Sequence, residues 1–533
     1  MQTKERKGGS IWGILRFDEA DEEFELLESE RGRPKAYTRP EKPAPREKPA
    51  PASRFLFENE RRLRQEFRCN VNSDILLRRF RLGQSVDALA VCMNGMASGG
   101  MINDFILRQG MRPGCMDGAA GSPARFAMDN IFAQQESECT ADWQTIKMAI
   151  LDGKTAVFIE GDELAVLMDT RGYEKRGVEN AQNEKVVKGP QEGFNESLRT
   201  NITLLRRIIK TDDFVCEFQH AGGKNNVQLA IAYRQDVVNP NLLKEVKRRL
   251  HNVRARMLTS DGAIERMTER YGLSPLPQVL STERPDRTAA HIMQGHVAVL
   301  LEGSPTASVM PATLFTLMAT SEDSYMRRPP GAILRMVRYI GAGMSILLPG
   351  YFMAVAMHHQ GMLSTETIVT IIQSREMVFL PLGLEMLFLL WVFQLLREAG
   401  VRVPGSVGQS IGIIGGLVLG QAAVSANMVS TVVLIIAALA GLGNFTIPDY
   451  STQIAASYFR IFLLLLGWAG GLLGLSAGIV VLTVWMARLK SYGVPFLAPV
   501  APKTFKGGSG GMRGRINRRQ RPVDYINTWE EGQ

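Results

Sequence analysis

LPLGLEMLFLLWVFQLLREAG, residues 380–400, places one carboxylate, Glu385, inside an apolar run that approaches bilayer thickness. The stretch has neighbours of the same kind. Between Arg338 and Glu366 there is no Asp, Glu, Lys or Arg, and the same holds from Val403 to Pro448 and from Ile461 to Ala487. Each of these runs is longer than the roughly 20 residues a helix needs to cross a bilayer. Buried core helices rarely repeat at such length, so the C-terminal third reads as an all-α polytopic membrane domain of four to six spans. The first 330 residues carry charge throughout and read as a large soluble region in front of it. A length of 533 residues leaves room for two or three domains.

The formal net charge is +9. Much of the excess follows the last apolar run, at Arg488, Lys490, Lys503, Lys506, Arg513, Arg515, Arg518, Arg519 and Arg521. Basic residues flanking a span hold that end on the cytoplasmic side, so residues 490–533 read as a basic cytoplasmic tail beside membrane lipid, not as a nucleic-acid arm. The opening MQTKERKGGSIWG lacks the apolar stretch and cleavage site of a signal peptide. Cys69, Cys92, Cys115, Cys139 and Cys216 are scattered and odd in number, which suits a reducing compartment and gives no metal or disulfide pattern. No cofactor is expected.

Residues 1–58 form a tail rich in Pro and charge, typified by RPEKPAPREKPAPASR, a composition that disfavours a packed core. Residues 59–140 read as a mainly helical subdomain, with SDILLRRFRLGQSVDALAVCMNGM (73–96) mixing apolar and basic positions at helical spacing. Residues 141–330 read as an α+β or α/β domain. In it, GKTAVFIEGDELAVLMDT (153–170) makes two strands about the turn Gly161-Asp162, and VQLAIAYR (227–234) makes another. ESLRTNITLLRRIIK (196–210) puts Leu198, Ile202, Leu205 and Ile209 on one helical face, and NLLKEVKRRLHNVRARM (241–257) repeats the theme. GHVAVLLEGSP (295–305) echoes 153–161 as G-x-x-A-V-x-x-E-G; related strand–turn units and a chance match both fit this.

The membrane region, residues 331–489, divides into apolar segments at about 336–358, 377–396, 408–424, 428–446 and 458–487. Arg335 and Arg338 precede the first and Arg397 and Arg402 follow the second, which sets the large N-terminal region inside. A basic tail on that same side requires an even number of crossings. One segment is therefore re-entrant, or the last folds back on itself. SIGIIGGLVLGQAAVSAN (410–427), short and rich in Gly with Gln421 and Asn427, suits either a pore-lining re-entrant stretch or close helix packing. STETIVTIIQSRE (364–376) reads as an interfacial helix on the far side. Glu385 is costly at depth, by roughly 2.5–3.5 kcal/mol on insertion scales. It faces a protein interior, a wet path or a cation, or it is a first-turn acid held by the helix dipole.

No Walker loop, H-E-x-x-H, G-x-S-x-G or cysteine–histidine cluster occurs, so channel, receptor or transport work is expected in place of enzymatic catalysis. Several stretches carry a resemblance: VVKGPQEGFNESLRTNITLLRRIIK (186–210), ERPD (283–286), VAVLLEGSP (297–305), SEDSYMR (321–327), SREMVFLPLGLE (374–385), LLREAGVRVPGSVGQSIGIIGGLVLGQAAV (395–424) and SYGVPFLAPVAP (491–502). Together they resemble the GerA-type spore germination protein family, the A subunits of spore germinant receptors. The resemblance implies a subunit in the inner membrane of the spore, with the soluble region cytoplasmic. It implies partnership with a transporter-like B-type subunit and a C-type lipoprotein, and response to small nutrients acting through a partner subunit. It further implies self-association into a cation channel. On this sequence Gly189, Pro190, Glu192, Gly193, Phe194 and Glu196 fall on the soluble motif. Glu385, Arg397, Glu398, Gly400, Gly408, Gln409, Gly420 and Gln421 fall on the membrane motif. Leu390 and Gln394 stand where the family commonly carries acids, Glu302 replaces the Asp of D-G-S-P, and Ser324 replaces a Tyr of E-D-Y-Y. A transporter acting alone and a pore-less signalling scaffold are the competing readings.

Overall fold

The echo between residues 153–161 and 295–303 is the trace of a duplicated lobe. The computed structural model describes residues 51–119, 121–172, 181, 184, 186, 188–222, 225–251, 253, 258, 260–269, 274–402, 420–501 and 526. The first lobe runs α1 (Leu56–Glu66), β1 (Ile75–Leu82), β2 (Val86–Met93), a helical segment α2 over 99–110 whose centre Ile102–Leu107 is π-helical, α3 (Pro123–Asn130), β3 (Ser137–Thr140), α4 (Trp143–Leu151), β4 (Thr155–Ile159) and β5 (Ala165–Met168). The second runs α5 (Leu198–Ile208), β6 (Phe214–Ala221), β7 (Val227–Arg234), α6 (Pro240–His251), α7 (Asp261–Thr268), β8 (Leu280–Thr282), α8 (Pro285–Met293), β9 (Val297–Leu301) and β10 (Ala307–Met310). The sheets are antiparallel and follow one path: β1-β2-β4-β5-β3 in the first lobe and β6-β7-β9-β10-β8 in the second.

The duplication extends to single hydrogen bonds. Glu160, the acid of the first echo, accepts the Leu56 N–H at the start of α1 at 2.8 Å, a separation of 104 residues. Glu302, the acid of the second, accepts the Leu198 N–H at the start of α5 at 2.9 Å, again across 104 residues. Each carboxylate thus sits at a helix N-terminus, where unpaired N–H groups and the helix dipole favour an anion. Asn59 bonds both ways with the Ser53 backbone, and Asn201 does the same with Asn195. Each pair is offset by 142 residues (56 to 198, 160 to 302). Asn201 is fully buried. Asn201→Ala would remove both bonds to the Asn195 backbone and cost about 1–3 kcal/mol; a urea midpoint equal to wild type would remove this bridge from the account.

Residues 73–96, read from sequence as helical, are the hairpin β1–β2, so residues 59–140 are not mainly helical, and the edge at 140 cuts through the first sheet. Spacing misleads here because β1 puts Arg78, Arg79 and Arg81 between apolar residues, which fits a helix period as well as alternation. The turn at Gly83 and Gln84, both at positive φ, is the signal that separates two strands from one helix. Elsewhere the reading agrees: β4, β5 and β7 fall where expected, and Leu198, Ile202, Leu205 and Ile209 are all buried. The lobes meet through charge. Arg206 of α5 pairs with Asp74 at 2.8 Å, both buried, and stacks its guanidinium on Phe214. Around them lie Lys147–Asp212, Arg68–Asp213 and Lys210–Asp152.

After the lobes come α9 (Leu314–Leu317), α10 (Glu322–Tyr325), α11 (Arg328–His358), α12 (Thr365–Arg375), α13 (Leu382–Arg402), α14 (Thr431–Phe445) and α15 (Tyr450–Arg488). Among the described residues two helices are long and apolar enough to cross a membrane, α11 and α15. α15 is a hairpin. Its Gly471 takes φ 59° and ψ −144°, which a side chain resists, and a Cβ there would lie 2.9 Å from the His358 side chain. A Cβ on Gly478 would lie 2.7 Å from the Leu463 side chain, whereas those residues would be about 22 Å apart in a straight helix. Phe459 and Trp485 meet edge to face with centroids 5.7 Å apart. The last apolar segment therefore folds back on itself, one of the two possibilities that the charge pattern left open. α12 occupies 365–375 at the end away from the lobes, and most of segment 408–424 lies outside the described residues.

Candidate functional site: the junction of lobe and membrane helices

The soluble motif 189–196 is a loop gripped on every side. A Cβ on Gly189, at φ 121°, would lie 2.7 Å from the Tyr325 ring, so only glycine lets the loop approach α10. Pro190 O accepts from Arg284 Nη2 at 2.9 Å. Glu192 is exposed and pairs with Arg207 at 3.2 Å. Gly193 and Phe194 are buried, and the Phe194 N–H donates to Glu283 O at 2.8 Å. Glu196 is exposed, but its carbonyl accepts the Gly303 N–H at 2.8 Å, tying the loop to β9. Three further sequence motifs, 283–286, 297–305 and 321–327, thus converge on the loop.

From this loop a chain of polar contacts leads to the first long helix. Arg284 forms a two-pronged pair with Asp286, at 3.0 and 2.8 Å. Asp286 in turn accepts from the Tyr325 hydroxyl at 2.5 Å. Burial, reinforced by this bond to a carboxylate, pushes the Tyr325 phenol up to about 12. Arg287 donates to Thr316 O at 3.2 Å and Ala319 O at 2.8 Å, holding the segment that follows α9. Asp323 in α10 receives both Arg335, at 3.3 Å, and Arg338 of α11. Arg338 also donates to Met318 O at 2.8 Å. The basic pair that sequence reading used to orient the first span is thus also the latch between lobe and helix.

The other end of the helical region is latched to the same lobe. Beyond α15 the chain makes β11 (Lys490–Ser491) and β12 (Val494–Pro495), and Tyr492, Val494, Phe496 and Ala498 are buried in the second lobe. Ser491 Oγ donates to Gln278 O at 2.6 Å and accepts the Ala312 N–H at 3.0 Å. The Leu314 N–H donates to Phe496 O at 2.9 Å. Arg249 stacks over the Tyr492 ring at 4.3 Å, and Asn239 donates to Ile526 O at 3.1 Å. Residues 490–501 are therefore a strap and not a loose tail. Beneath it, burial raises the Glu269 carboxyl to about 7, against the lowering effects of the Gln278 N–H and Arg249. The folded state then holds a proton that the unfolded chain, near 4.5, releases. Stability from this group is present below about 4.5 and is lost as pH rises toward 7. Thermal midpoints of the full chain in detergent should fall over that window, and Glu269→Gln should flatten the fall. An identical slope in the variant would contradict the assignment.

Inside the helices, Glu385 is fully buried. One oxygen accepts the Ser430 N–H and hydroxyl, both at 2.6 Å, at the start of α14; the other accepts Arg375 Nε of α12 at 3.3 Å. It is both a first-turn acid of α13 and an anion closing the start of α14. Gln421 and Asn427 are exposed on the single chain, Asn427 with φ 53°. Gly420 lies against Leu434, Gly400 lies within α13, and Glu398 is half-buried. Gly408 and Gln409 lie outside the described residues. Arg397 Nη1 donates to the Asn444 amide oxygen at 2.7 Å.

Residues 61–522 match the family described as Bacillus/Clostridium GerA spore germination protein. The chain belongs to that family. It is 31% identical over 452 residues to spore germination protein GerLA of Bacillus cereus, covering 85% of this chain and 91% of that one. It is 33% identical over 355 residues to spore germination protein B1 of Bacillus subtilis (strain 168), covering 67% and 74%. A crystal structure of the N-terminal domain of the A subunit of the Bacillus megaterium spore germinant receptor GerK3 aligns with 50% of this chain and 98% of that chain, at TM-score 0.40 and 22% identity. For this GerA-family chain, sequence reading located the 189–196 loop, the E-R-P-D and S-E-D-S-Y motifs and Glu385. It missed Arg460, which stands alone between two uncharged runs and is buried among α11, α14 and α15. A lone basic residue ten positions after Tyr450, within an apolar helix, is the signal that could have found it.

Proposed function

We propose that this GerA-family membrane protein is the A-type subunit of a spore germinant receptor, which turns a nutrient signal into cation flow across the inner membrane of the spore. The observation that carries the reading is the double latch: α11 leaves the second lobe through Asp323, and the strap after α15 returns to that lobe. Both ends of the helical region therefore lie on the lobe side, and any shift of the second lobe pulls on the first and last helices together. Five traverses fall on described residues: α11, α13, α14 and the two limbs of α15. Most of the stretch between 402 and 431 lies outside the described residues. So few traverses in one chain enclose little space, so a pore is assigned to several copies, with Gln421 and Asn427 on outward faces. In this reading the B-type and C-type subunits bind the nutrient and act on the lobes. Phe194, packed under the motif loop, supports the lobe surface that assembles. Spores lacking this chain but keeping its partners should lose nutrient-triggered cation release while still forming normally. Release equal to wild type would overturn the proposal.

A further inference from the structure

We propose that Arg397 and Arg460 form a binding site for the headgroup phosphate of an anionic phospholipid, at the lobe end of the helical bundle. This rests on the membrane reading above. Arg460 is buried, donating Nε to Ser345 O at 2.8 Å and Nη2 to Ser345 Oγ at 2.5 Å. Ser345 Oγ lies 3.3 Å from an amide atom of Asn444, whose oxygen takes Arg397 Nη1. Two guanidiniums thus share one small polar network between α11, α13, α14 and α15. Neither forms an ion pair among the described residues. Arg397 Nη2 is shielded from solvent and has no acceptor. A buried cation without a counter-charge is strongly unfavourable, and two together repel, so an anion is the missing member.

The surroundings select the kind of anion. Ser345 is seven residues past Arg338, the lobe-side anchor of α11, which places the network about 10 Å along the helix from that anchor. A phosphate reaches guanidiniums at that depth where the bilayer thins beside them. Arg397 is only half-buried, so the network has an opening. Beside it, α14 turns Ile435, Leu439, Leu442 and Phe445 outward, an exposed apolar strip suited to an acyl chain. A ligand with a phosphate head and a hydrocarbon tail meets both features, and free phosphate meets only the first.

The test uses the full chain in nanodiscs of phosphatidylcholine, alone or with phosphatidylglycerol, with retained lipid measured by mass spectrometry. Wild type should retain phosphatidylglycerol in preference to phosphatidylcholine. Arg397→Gln should lower that retention at least about tenfold, the factor a lost charged hydrogen bond carries. Arg460→Lys, which keeps the charge, should retain more than Arg460→Gln. Equal retention by wild type and Arg397→Gln would overturn the proposal. So would a rise in thermal midpoint with inorganic phosphate as large as that with phosphatidylglycerol. Wild type requires no variant to fold, and its own failure to prefer phosphatidylglycerol would also count against the site.

Discussion

Gly467→Val should abolish the folded helical bundle. A Cβ on Gly467 would run into the Gly350 carbonyl, and its next contact, the Gly350 Cα, is 3.4 Å away. Both are backbone atoms of α11, so no side chain can swing aside. Gly443 makes the same close approach to the Gly341 carbonyl one layer nearer the lobes, where α14 meets α11. In lipid, helices associate through close packing of small residues, because burying apolar surface gains little against hydrocarbon chains. Overpacking usually costs about 1–3 kcal/mol. Here the whole α11–α15 contact must open, so the cost should lie at or above the top of that range. The expected result is loss of protein from the membrane fraction, or a detergent-purified chain that elutes as aggregate. Normal yield with an unchanged elution volume would mean that α11 and α15 do not pack as described.

Glu385→Ala should be nearly as damaging, for an electrostatic reason. The carboxylate closes the start of α14 through Ser430 and neutralises Arg375 of α12, so one side chain joins three helices at the end away from the lobes. Removing it strips the buried Ser430 N–H of its acceptor, at a cost of about 1–3 kcal/mol, and takes the counter-charge from the half-buried Arg375 as well. Glu385→Gln keeps an oxygen for Ser430 and should cost less. If the joint positions the helices that move during opening, Gln at 385 should slow cation release at normal protein level, whereas Ala should lower the level itself. Wild-type level and release in both variants would remove Glu385 from the account.

The two predictions differ in how visible they were in the sequence. Glu385 stood out because a carboxylate in an apolar run is expensive wherever it goes. Its partners did not, because Arg375 and Ser430 lie 10 and 45 residues away and only the folded helices bring them together. The strand pair β4–β5 and strand β7 were legible, since short β-rich runs beside Gly turns admit one reading. The hairpin β1–β2 was not, because interleaved arginines imitate a helical face. The echo at Glu160 and Glu302 hinted at the duplication, but its meaning, an acid at each helix start, required the two sheets to be seen in the same strand order. The strap was the least legible element. SYGVPFLAPVAP follows a basic helix end and continues into a basic tail, and nothing local to it says that Tyr492 and Phe496 are core residues of a lobe some two hundred positions earlier. The same limit hid Arg460, whose network is assembled from four helices.

The central claim is that the lobes and the strap share one side of the membrane, with the Gly471 bend on the other. Thiol labelling in sealed vesicles tests it. Single cysteines would be placed at Val500, exposed on the strap, and at Gly361, exposed beyond α11, in a chain whose native cysteines are replaced by serine or alanine. Val500→Cys should react with a membrane-impermeant reagent only from the side on which the lobes are cut by protease, and Gly361→Cys only from the opposite side. Labelling of both from the same side would contradict the account.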